Sequence, residues 1–329
     1  MATSSSNLEF KPLSPTFGAE CFGMDFSQPV PESTIGIIRD AMTEYGFLLF
    51  RQTALDDTSH VAFAKQFGPL EDQSVWIHPE HPYRLPFTEL ADSGNVEADG
   101  VIVSRNNIRQ QINMGNMLWH VDSSYNPRRA GFSILLAHET PLPETGAATL
   151  FADSRTAYDD LDSANKARVA ELILSHSLWH SRKLGAPESA VLGRIKPEKY
   201  TMARHKVAQL HQPSGRMNLY IAAHGHHFDG MTLEESKPIL NELLRHVTQD
   251  KYTVKIDWKT AGDMVMWDNT CTLHRGEGGS YIGKYARDLR RATVMDQSSL
   301  ATGLNGDEVK QAGIYAPGFR NTKWCDGTR

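Results

Sequence analysis

The stretch GDMVMWDNTCTLHRG, residues 262–276, places a short apolar strand before a turn and a histidine. Residues 262–267 have the pattern of a β-strand, the polar residues after them are typical of a turn, and His274 follows. Comparable apolar runs lie at residues 47–51, 132–139, 148–153, 205–212, 217–222 and 252–257. Many short strands between Gly- and Pro-rich turns favour an antiparallel sandwich or jelly roll over a doubly wound parallel sheet.

Helical patterns interrupt these strands. Apolar side chains recur at helical spacing over residues 32–46 and stop at Gly46. Further helices are predicted at residues 56–68, 163–174 and 232–249. The chain contains no GxGxxG motif after a strand and no GxxxxGK[ST] motif, so nucleotide-binding folds lack their usual sequence support.

The composition is that of one folded globular protein. The chain has 329 residues, of which 40% are hydrophobic and 22% charged. We predict a single domain over residues 8–329 with a short disordered N-terminus at 1–7. The 34 Lys and Arg residues against 39 Asp and Glu residues give a net charge of −5, which argues against nucleic acid or an anionic membrane as a partner. The sequence leaves a homo-oligomer open.

The cysteines and the N-terminus indicate a cytoplasmic protein. Cys21, Cys271 and Cys325 are far apart and form no CxxC pair, which argues against a disulfide framework or a cysteine-based zinc site. The first residues lack the basic and apolar regions of a signal peptide, and no run of about 18 apolar residues occurs.

A candidate metal site begins at LWHVDSSY, residues 118–125. In an extended chain, His120 and Asp122 point to the same side and can bind one ion. This pair is weak evidence alone, but His274 supplies a third ligand. Two imidazoles and one carboxylate form the facial triad of non-haem Fe(II) oxygenases, which leaves adjacent positions open for a 2-oxo acid and dioxygen.

Three arginines follow the distal histidine in YARDLRRATV, residues 285–294. Arg287 and Arg291 differ by four residues, so on a strand they share a face, whereas Arg290 points the other way. A guanidinium on the inner face is a suitable anchor for the distal carboxylate of a dicarboxylate co-substrate. For Arg290, the outer charged face of a strand is the plausible alternative.

These features resemble the taurine / 2,4-dichlorophenoxyacetate dioxygenase (TauD/TfdA) family of Fe(II)- and 2-oxoglutarate-dependent enzymes. The family's segments occur in order from about residue 8 to 297: FLLFRQ, FAKQFGPLE, WHVDSSY, PETGAATLFAD, HQPSGRMNLYIAAHGHHFDGM, GDMVMWDNTCTLHRG and RDLRRATV. The predicted fold is therefore mainly β with helical insertions around a double-stranded β-helix, or jelly-roll, core.

The resemblance implies roles for individual residues. His120, Asp122 and His274 match the iron ligands. Thr149 and Arg287 match the residues that hold the C5 carboxylate of 2-oxoglutarate.

Substrate contacts follow from the same resemblance. Arg291 matches the position that binds the sulfonate in the taurine enzyme, and Asn116 matches a pocket-lining residue. His78, in a Pro-rich loop, is a further candidate for the substrate pocket, with plain exposure as the equal alternative.

Two blocks depart from the family pattern. The usual Gly-Gly-Asp-Thr reads Gly146-Ala147-Ala148-Thr149, and the common Trp-Asp-Asn-Arg reads Trp267-Asp268-Asn269-Thr270. Neither change affects a ligand. The loss of an arginine at Thr270 bears on the pocket rim and hence on the identity of the substrate.

The resulting hypothesis is a dioxygenase that oxidises, most simply hydroxylates, a C–H bond of a small anionic substrate with release of succinate and CO2. Its cofactors would be Fe(II), 2-oxoglutarate and O2. Desaturation, epoxidation or oxidative cleavage of a secondary metabolite would use the same residues. A zinc hydrolase and a catalytically inactive binding protein on the same scaffold are the alternatives from other classes.

Overall fold

The computed structural model describes residues 8–77 and 83–313. The strands in these ranges are β1 (Glu9–Pro12), β2 (Ala19–Phe22), β3 (Phe47–Phe50), β4 (Leu90–Asp92), β5 (Ala130–Glu139), β6 (Thr149–Asp153), β7 (Ile173–His176), β8 (Ala203–Lys206), β9 (Ala208–His211), β10 (Arg216–Leu219), β11 (Gly225–Phe228), β12 (Thr253–Ile256), β13 (Met264–Asp268), β14 (Thr272–Gly276) and β15 (Asp288–Met295). The α-helices are α1 (Glu32–Tyr45), α2 (Asp57–Lys65), α3 (Ile108–Asn113), α4 (Ser154–Asp159), α5 (Ser163–Ala170), α6 (Leu178–Gly185), α7 (Ala190–Gly193) and α8 (Leu233–Val247). Short 3-10 helices occur at Ser74–Trp76, Met114–Met117, Pro143–Thr145, Pro197–Lys199 and Asp250–Tyr252.

A seven-stranded sheet dominates the structure, with the order β1-β2-β3-β13-β5-β15-β4. Its neighbours are antiparallel except for the parallel pair β2 and β3. Strand β13 lies between β3 and β5 and is buried along its whole length. The continuous apolar run Met264–Trp267 suits this position, because a strand covered on both faces has no solvent side to keep polar.

Three smaller antiparallel sheets complete the β structure. They have the orders β12-β6-β14, β11-β7-β8 and β10-β9. Strand β14 carries His274 and β15 carries Arg291, so the smaller β12-β6-β14 sheet and the large sheet each contribute to the predicted site. The prediction of a mainly antiparallel β protein with helical insertions agrees with this arrangement.

Helix α1 covers one part of the large sheet. Ile35, Ile38 and Met42 are fully buried in a cluster that includes Leu48 of β3. Each such side chain contributes about 1.5–3 kcal/mol through its burial. The helix ends at Gly46, which has a φ of +74°. A Cβ at this position would lie 2.9 Å from the Phe17 ring, so both the conformation and the contact disfavour a larger residue.

The predicted helices at residues 32–46, 56–68 and 232–249 are confirmed within a few residues, and two other predictions are wrong in part. The helix predicted over residues 163–174 ends at Ala170, because Ile173–His176 pairs with β8 and β11 instead. The strand predicted over residues 205–212 is split at Val207, where the chain leaves β7 and pairs with β10.

The structure bears on two other sequence observations. Cys21 and Cys271, the cysteines that lie in the described ranges, are both free. Among the same residues, no helix is long and apolar enough to span a membrane.

Candidate metal centre and its cavity

Backbone hydrogen bonds hold His120 and His274 side by side. The N–H of His120 donates to the carbonyl of His274 at 2.9 Å, and the reciprocal bond is 2.8 Å. Their ring centroids are 4.1 Å apart. The expected extended conformation around His120 is limited to this isolated bridge, because residues 122–125 form a turn. The turn, rather than strand alternation, places Asp122 beside the imidazoles.

The three side chains present their ligand atoms to a common point. Nε2 of His120 lies 3.8 Å from Oδ1 of Asp122, and Nε2 of His274 lies 3.6 Å from Oδ2. One ligand atom of each residue lies within 4.8 Å of the others, and all three residues are buried. Nδ1 of His120 donates to the carbonyl of Leu118 at 2.7 Å, which leaves Nε2 with its lone pair. This donor set fits a divalent iron ion with open coordination positions.

Asp122 is fixed by neighbours on both sides. Oγ of Ser133 donates to Oδ2 at 2.7 Å, and Nη1 of Arg291 donates to Oδ1 at 2.5 Å. The N–H of Asp122 donates to Oδ1 of Asn269 at 2.9 Å, and Nδ2 of Asn269 in turn donates to Oγ of Ser133 at 2.9 Å. Hydrogen bonds of this kind orient a metal-binding carboxylate before the ion arrives.

The protonation states are those that metal binding requires. Burial lowers the pKa of His120 to about 4 and the pKa of His274 well below its usual value. Burial alone would raise the pKa of Asp122, but Arg291 and the two imidazoles hold it at about 2. Near neutral pH the site therefore contains two neutral imidazoles and one carboxylate.

A cavity opens beside the metal ligands. Among the residues that line it are His120, His274, Thr149, Arg287 and Asn116. The sequence predicted all of these as site residues, and the fold brings them together from widely separated segments.

Arg287 contributes a cation that the described residues leave without an acid partner. Nη1 donates to the carbonyl of Ser93 at 3.1 Å, while Nε is buried without a hydrogen-bond partner. The backbone N–H of Arg287 donates to Oδ1 of Asn95 at 2.7 Å, which fixes the chain at this point. Burial lowers the pKa of Arg287, as expected for a charge without a counter-ion. An anion that enters the cavity could use the free side of this guanidinium.

Strand pairing explains the position of Thr149. In the β14–β6 pair, Gly276 is opposite Thr149 and His274 is opposite Phe151. Paired residues of antiparallel strands share a face, so Thr149 and His274 lie on the same side of the sheet. Nε1 of Trp258 donates to Oγ1 of Thr149 at 3.1 Å, which leaves the hydroxyl proton of Thr149 available to a ligand.

The three arginines differ in their surroundings. Arg291 also lines the cavity, where it pairs with Asp122. Arg290 faces away and forms ion pairs with Asp57 at 2.5 Å and Asp288 at 2.8 Å, so its predicted outward direction agrees with the structure.

Two predicted substrate residues remain, Asn116 and His78. Asn116 lies in the cavity wall, in the 3-10 helix Met114–Met117. His78 falls outside the described residues.

Several residues around the site were missed by the sequence analysis. Ser133 and Asn269 orient Asp122, and Arg182 of α6 donates to Asn116 at 2.7 Å. Asn269 lies within a quoted motif, so the motif could have directed attention to it. Ser133 and Arg182 lie in ordinary apolar or helical contexts and carry no comparable signal.

A second buried cluster, His211, Asp268 and Cys271, also brings possible ligand atoms within 4.8 Å of one another. Its polar atoms are already used. Nε2 of His211 contacts Oδ2 of Asp268 at 3.0 Å, and Nδ1 contacts Oγ of Ser214 at 2.6 Å. Oδ1 of Asp268 accepts from the hydroxyl of Thr270 at 2.6 Å. These hydrogen bonds stabilise the turn that precedes His274.

Comparison with known proteins identifies the family to which the chain belongs. The family described as "Taurine catabolism dioxygenase TauD, TfdA family" matches residues 9–293. The chain is 35% identical over 290 residues to the alpha-ketoglutarate-dependent 2,4-dichlorophenoxyacetate dioxygenase of Cupriavidus pinatubonensis, covering 87% of this chain and 97% of that protein. It is 33% identical over 273 residues to the (S)-phenoxypropionate/alpha-ketoglutarate-dioxygenase of Sphingobium herbicidovorans, covering 81% and 88%.

A solved structure also resembles the fold closely. The crystal structure of AAD-2 in complex with Mn(II) and N-oxalylglycine has a TM-score of 0.80 and 33% sequence identity, and the match covers 88% of this chain and 98% of that one.

Proposed function

Because the chain belongs to the TauD, TfdA family, we propose that it is an Fe(II)- and 2-oxoglutarate-dependent dioxygenase that oxidises a C–H bond of a small organic anion. Membership confirms the family and the enzyme class predicted from the sequence, and the predicted cofactors agree with the names of the relatives. The similar structure supports a jelly-roll arrangement of the sheets. The observation that carries the proposal is a buried His-Asp-His cluster that opens into a cavity lined by an arginine with no acid partner among the described residues.

The proposed metal ligands are His120, Asp122 and His274. Bound iron would activate dioxygen and oxidise the substrate, chemistry that no side chain of the site supplies by itself. One oxygen atom enters succinate as 2-oxoglutarate loses CO2, and in the hydroxylation reaction the other forms the new C–OH group. The protein's contribution is to fix the ligands, hold the two organic molecules and limit access of water.

The co-substrate would lie between the metal ligands and Arg287. The Nε side of Arg287 is available for the C5 carboxylate, and Thr149 offers a hydroxyl on the face shared with His274. A guanidinium can hold a carboxylate through two parallel hydrogen bonds, so this pair would set the orientation of 2-oxoglutarate. Trp258 keeps the Thr149 hydroxyl in place.

An anionic substrate is supported by the charge of the cavity. Two arginines, Arg287 and Arg291, line the cavity, and of the two only Arg291 pairs with a carboxylate of the described residues, that of Asp122. Relatives named for phenoxy acids support the same class of substrate. Hydroxylation next to an ether oxygen would give an unstable product that breaks apart, so an aryloxy acid would be cleaved.

The test is a titration of the anaerobic protein with Fe(II) and 2-oxoglutarate. We expect the weak visible absorption of a chelated 2-oxo acid, and it should require both components. Asp122→Ala should lose this absorption and the consumption of oxygen. Folded wild-type protein that binds the metal but gives no absorption would contradict the proposal and favour the hydrolase or inactive-protein alternatives.

A second measurement addresses the reaction. With a panel of aryloxy acids and alkyl sulfates, succinate should be formed in step with an oxidised product. Succinate formation that no compound of the panel accelerates would contradict this substrate class.

A further inference from the structure

Arg182, in α6, is a buried arginine close to the proposed metal centre. The residue is 8% exposed, and its Nε has no hydrogen-bond partner among the residues that the structure describes. Nη1 donates to Oδ1 of Asn116 at 2.7 Å. Arg182 forms no ion pair with a carboxylate in the described parts of the chain, although a guanidinium stays charged in proteins. A buried cation whose hydrogen-bond partners, Asn116 and Tyr125, are both neutral side chains implies that its charge serves a ligand.

Two glycines hold this guanidinium beneath the cavity wall. A Cβ at Gly115 would overlap Nη1 of Arg182, and a Cβ at Gly185 would lie 2.5 Å from the backbone N of Gly115. The backbone of the Met114–Met117 segment therefore lies directly on α6. Asn116 follows Gly115, so its side chain is placed by the same close contact.

The contact decides which end of the Asn116 amide faces the cavity. A guanidinium only donates hydrogen bonds, so Asn116 must turn its Oδ1 toward Arg182 and its Nδ2 away. Asn116 lines the cavity together with His120 and His274. Within residues 8–77 and 83–313, Nδ2 of Asn116 donates no hydrogen bond of its own. The amide thus offers free N–H groups on the cavity side.

The two arginines that line the cavity already have assigned partners. Arg291 pairs with Asp122, and Arg287 is the proposed anchor of 2-oxoglutarate. Arg182 and Asn116 remain for a different anion. Arg182 contacts Asn116 and Tyr125, and Asn116 lines the cavity together with the metal ligands His120 and His274.

We infer that Arg182 is a positioning residue for the substrate: it fixes Asn116 as a hydrogen-bond donor to the substrate's anionic group. Its charge, directly behind the amide, favours a carboxylate or sulfate over a neutral group of the same shape. This inference rests on the proposed function and specifies which side of the cavity binds the anion.

The test measures binding rather than turnover. Protein loaded with Mn(II) and N-oxalylglycine would be titrated by calorimetry with 2,4-dichlorophenoxyacetate, its uncharged carboxamide, and hexyl sulfate. In the wild type, at least one of the two anions should bind about tenfold or more tightly than the carboxamide. Comparing the two anions shows whether the site prefers a carboxylate or a sulfate.

Two variants examine the role of Arg182. Arg182→Gln should weaken binding of the preferred anion by about 10- to 100-fold, since the positive charge behind Asn116 and the bond that orients its amide are lost, and should change carboxamide binding little. Arg182→Lys keeps the charge and a donor, so it should restore part of the discrimination between anion and amide. Asn116→Asp retains a partner for Arg182 but presents a carboxylate, and it should abolish anion binding.

The matched control is Lys183→Gln, which removes the next positive charge of α6. Nζ of Lys183 donates to the carbonyl of Ile195, outside the cavity, so anion binding should stay unchanged. Equal loss of anion and carboxamide binding in Arg182→Gln would overturn the inference, as would a wild type that does not prefer an anion. Binding of N-oxalylglycine is recorded first in every variant; its absence in the wild type would instead refute the proposed co-substrate site.

Discussion

Replacing Arg287 with methionine separates ligand binding from stability. The guanidinium has a buried, unpaired Nε and no acid partner among the described residues. Methionine keeps much of the side-chain volume and removes the charge. The apo protein should therefore become more stable by about 1 kcal/mol, because a cation without a counter-ion is no longer held in the cavity.

The effect on ligand binding should be in the opposite direction and larger. Loss of a two-bond contact between a guanidinium and a carboxylate corresponds to about 3–5 kcal/mol. Since each 1.4 kcal/mol is a factor of ten, 2-oxoglutarate should bind roughly 100- to 4,000-fold more weakly. Calorimetric titration of the Mn(II)-loaded protein with N-oxalylglycine measures this loss without turnover.

Arg290→Met is the matched control for this prediction. Arg290 lies on the opposite face of β15 and pairs with Asp57 and Asp288. Its removal should lower the free energy of unfolding by about 1–3 kcal/mol and leave N-oxalylglycine binding unchanged. If Arg287→Met bound N-oxalylglycine within threefold of the wild type, or if both variants lost affinity equally, the assignment of Arg287 would be refuted.

Three further predictions concern the metal ligands and the fold. Ser133→Ala removes the hydrogen bond to Oδ2 of Asp122 and should weaken metal binding about tenfold in a competition with a chelator. Burial lowers the pKa of His60 to about 4, so neutral His60 makes its full contribution to the free energy of unfolding above pH 6.5. Up to about 3 kcal/mol of this contribution should be lost as the pH falls toward 4. Urea titrations at these pH values should show a smaller loss in His60→Gln. Gly18→Ala should cost about 2–4 kcal/mol in urea unfolding, because φ is +72° and the new Cβ would overlap the ring of Phe47; a loss below 0.5 kcal/mol would contradict this reasoning.

The metal ligands could be predicted because their chemical identities are visible in short motifs. His120 and Asp122 are two residues apart, and His274 follows a recognisable strand and turn. The local backbone conformation could not be predicted from these motifs. Ser123 has a φ of +53°, and this turn rather than an extended chain directs Asp122 toward the imidazoles. Such a conformation depends on contacts made after folding, including the bond from Asp122 to Asn269, 147 residues away.

The support of the site could not be predicted for a related reason. Arg182 and Asn116 are separated by 66 residues, and their contact depends on the close approach of two glycine-containing backbones. No periodicity or spacing specifies that approach. The apolar segments were easier to interpret, since β13 is a continuous apolar run and α1 buries its apolar residues at the helical spacing that the sequence itself contains.

The departure from the family's glycine pattern has a structural consequence. Ala147 is buried and has a φ of +80°, a conformation that favours glycine. Its Cβ packs in a small cluster with Tyr281 and Met117, which partly offsets the strain. At this positive φ the alanine is strained relative to glycine, and its side chain fills space beside Tyr281, a residue that lines the cavity.

The charges of the cavity suggest an order of events at the site. Arg291 pairs with Asp122. A divalent ion bound to Asp122 would share that carboxylate with Arg291, so the positive potential around Arg287 and Arg182 would rise when the metal binds. Binding of a dianionic 2-oxo acid would then be favoured, and by reciprocity the 2-oxo acid would strengthen metal binding. Arg182 would still lack a counter-ion after both have bound, so an anionic substrate would offset part of the positive charge that remains.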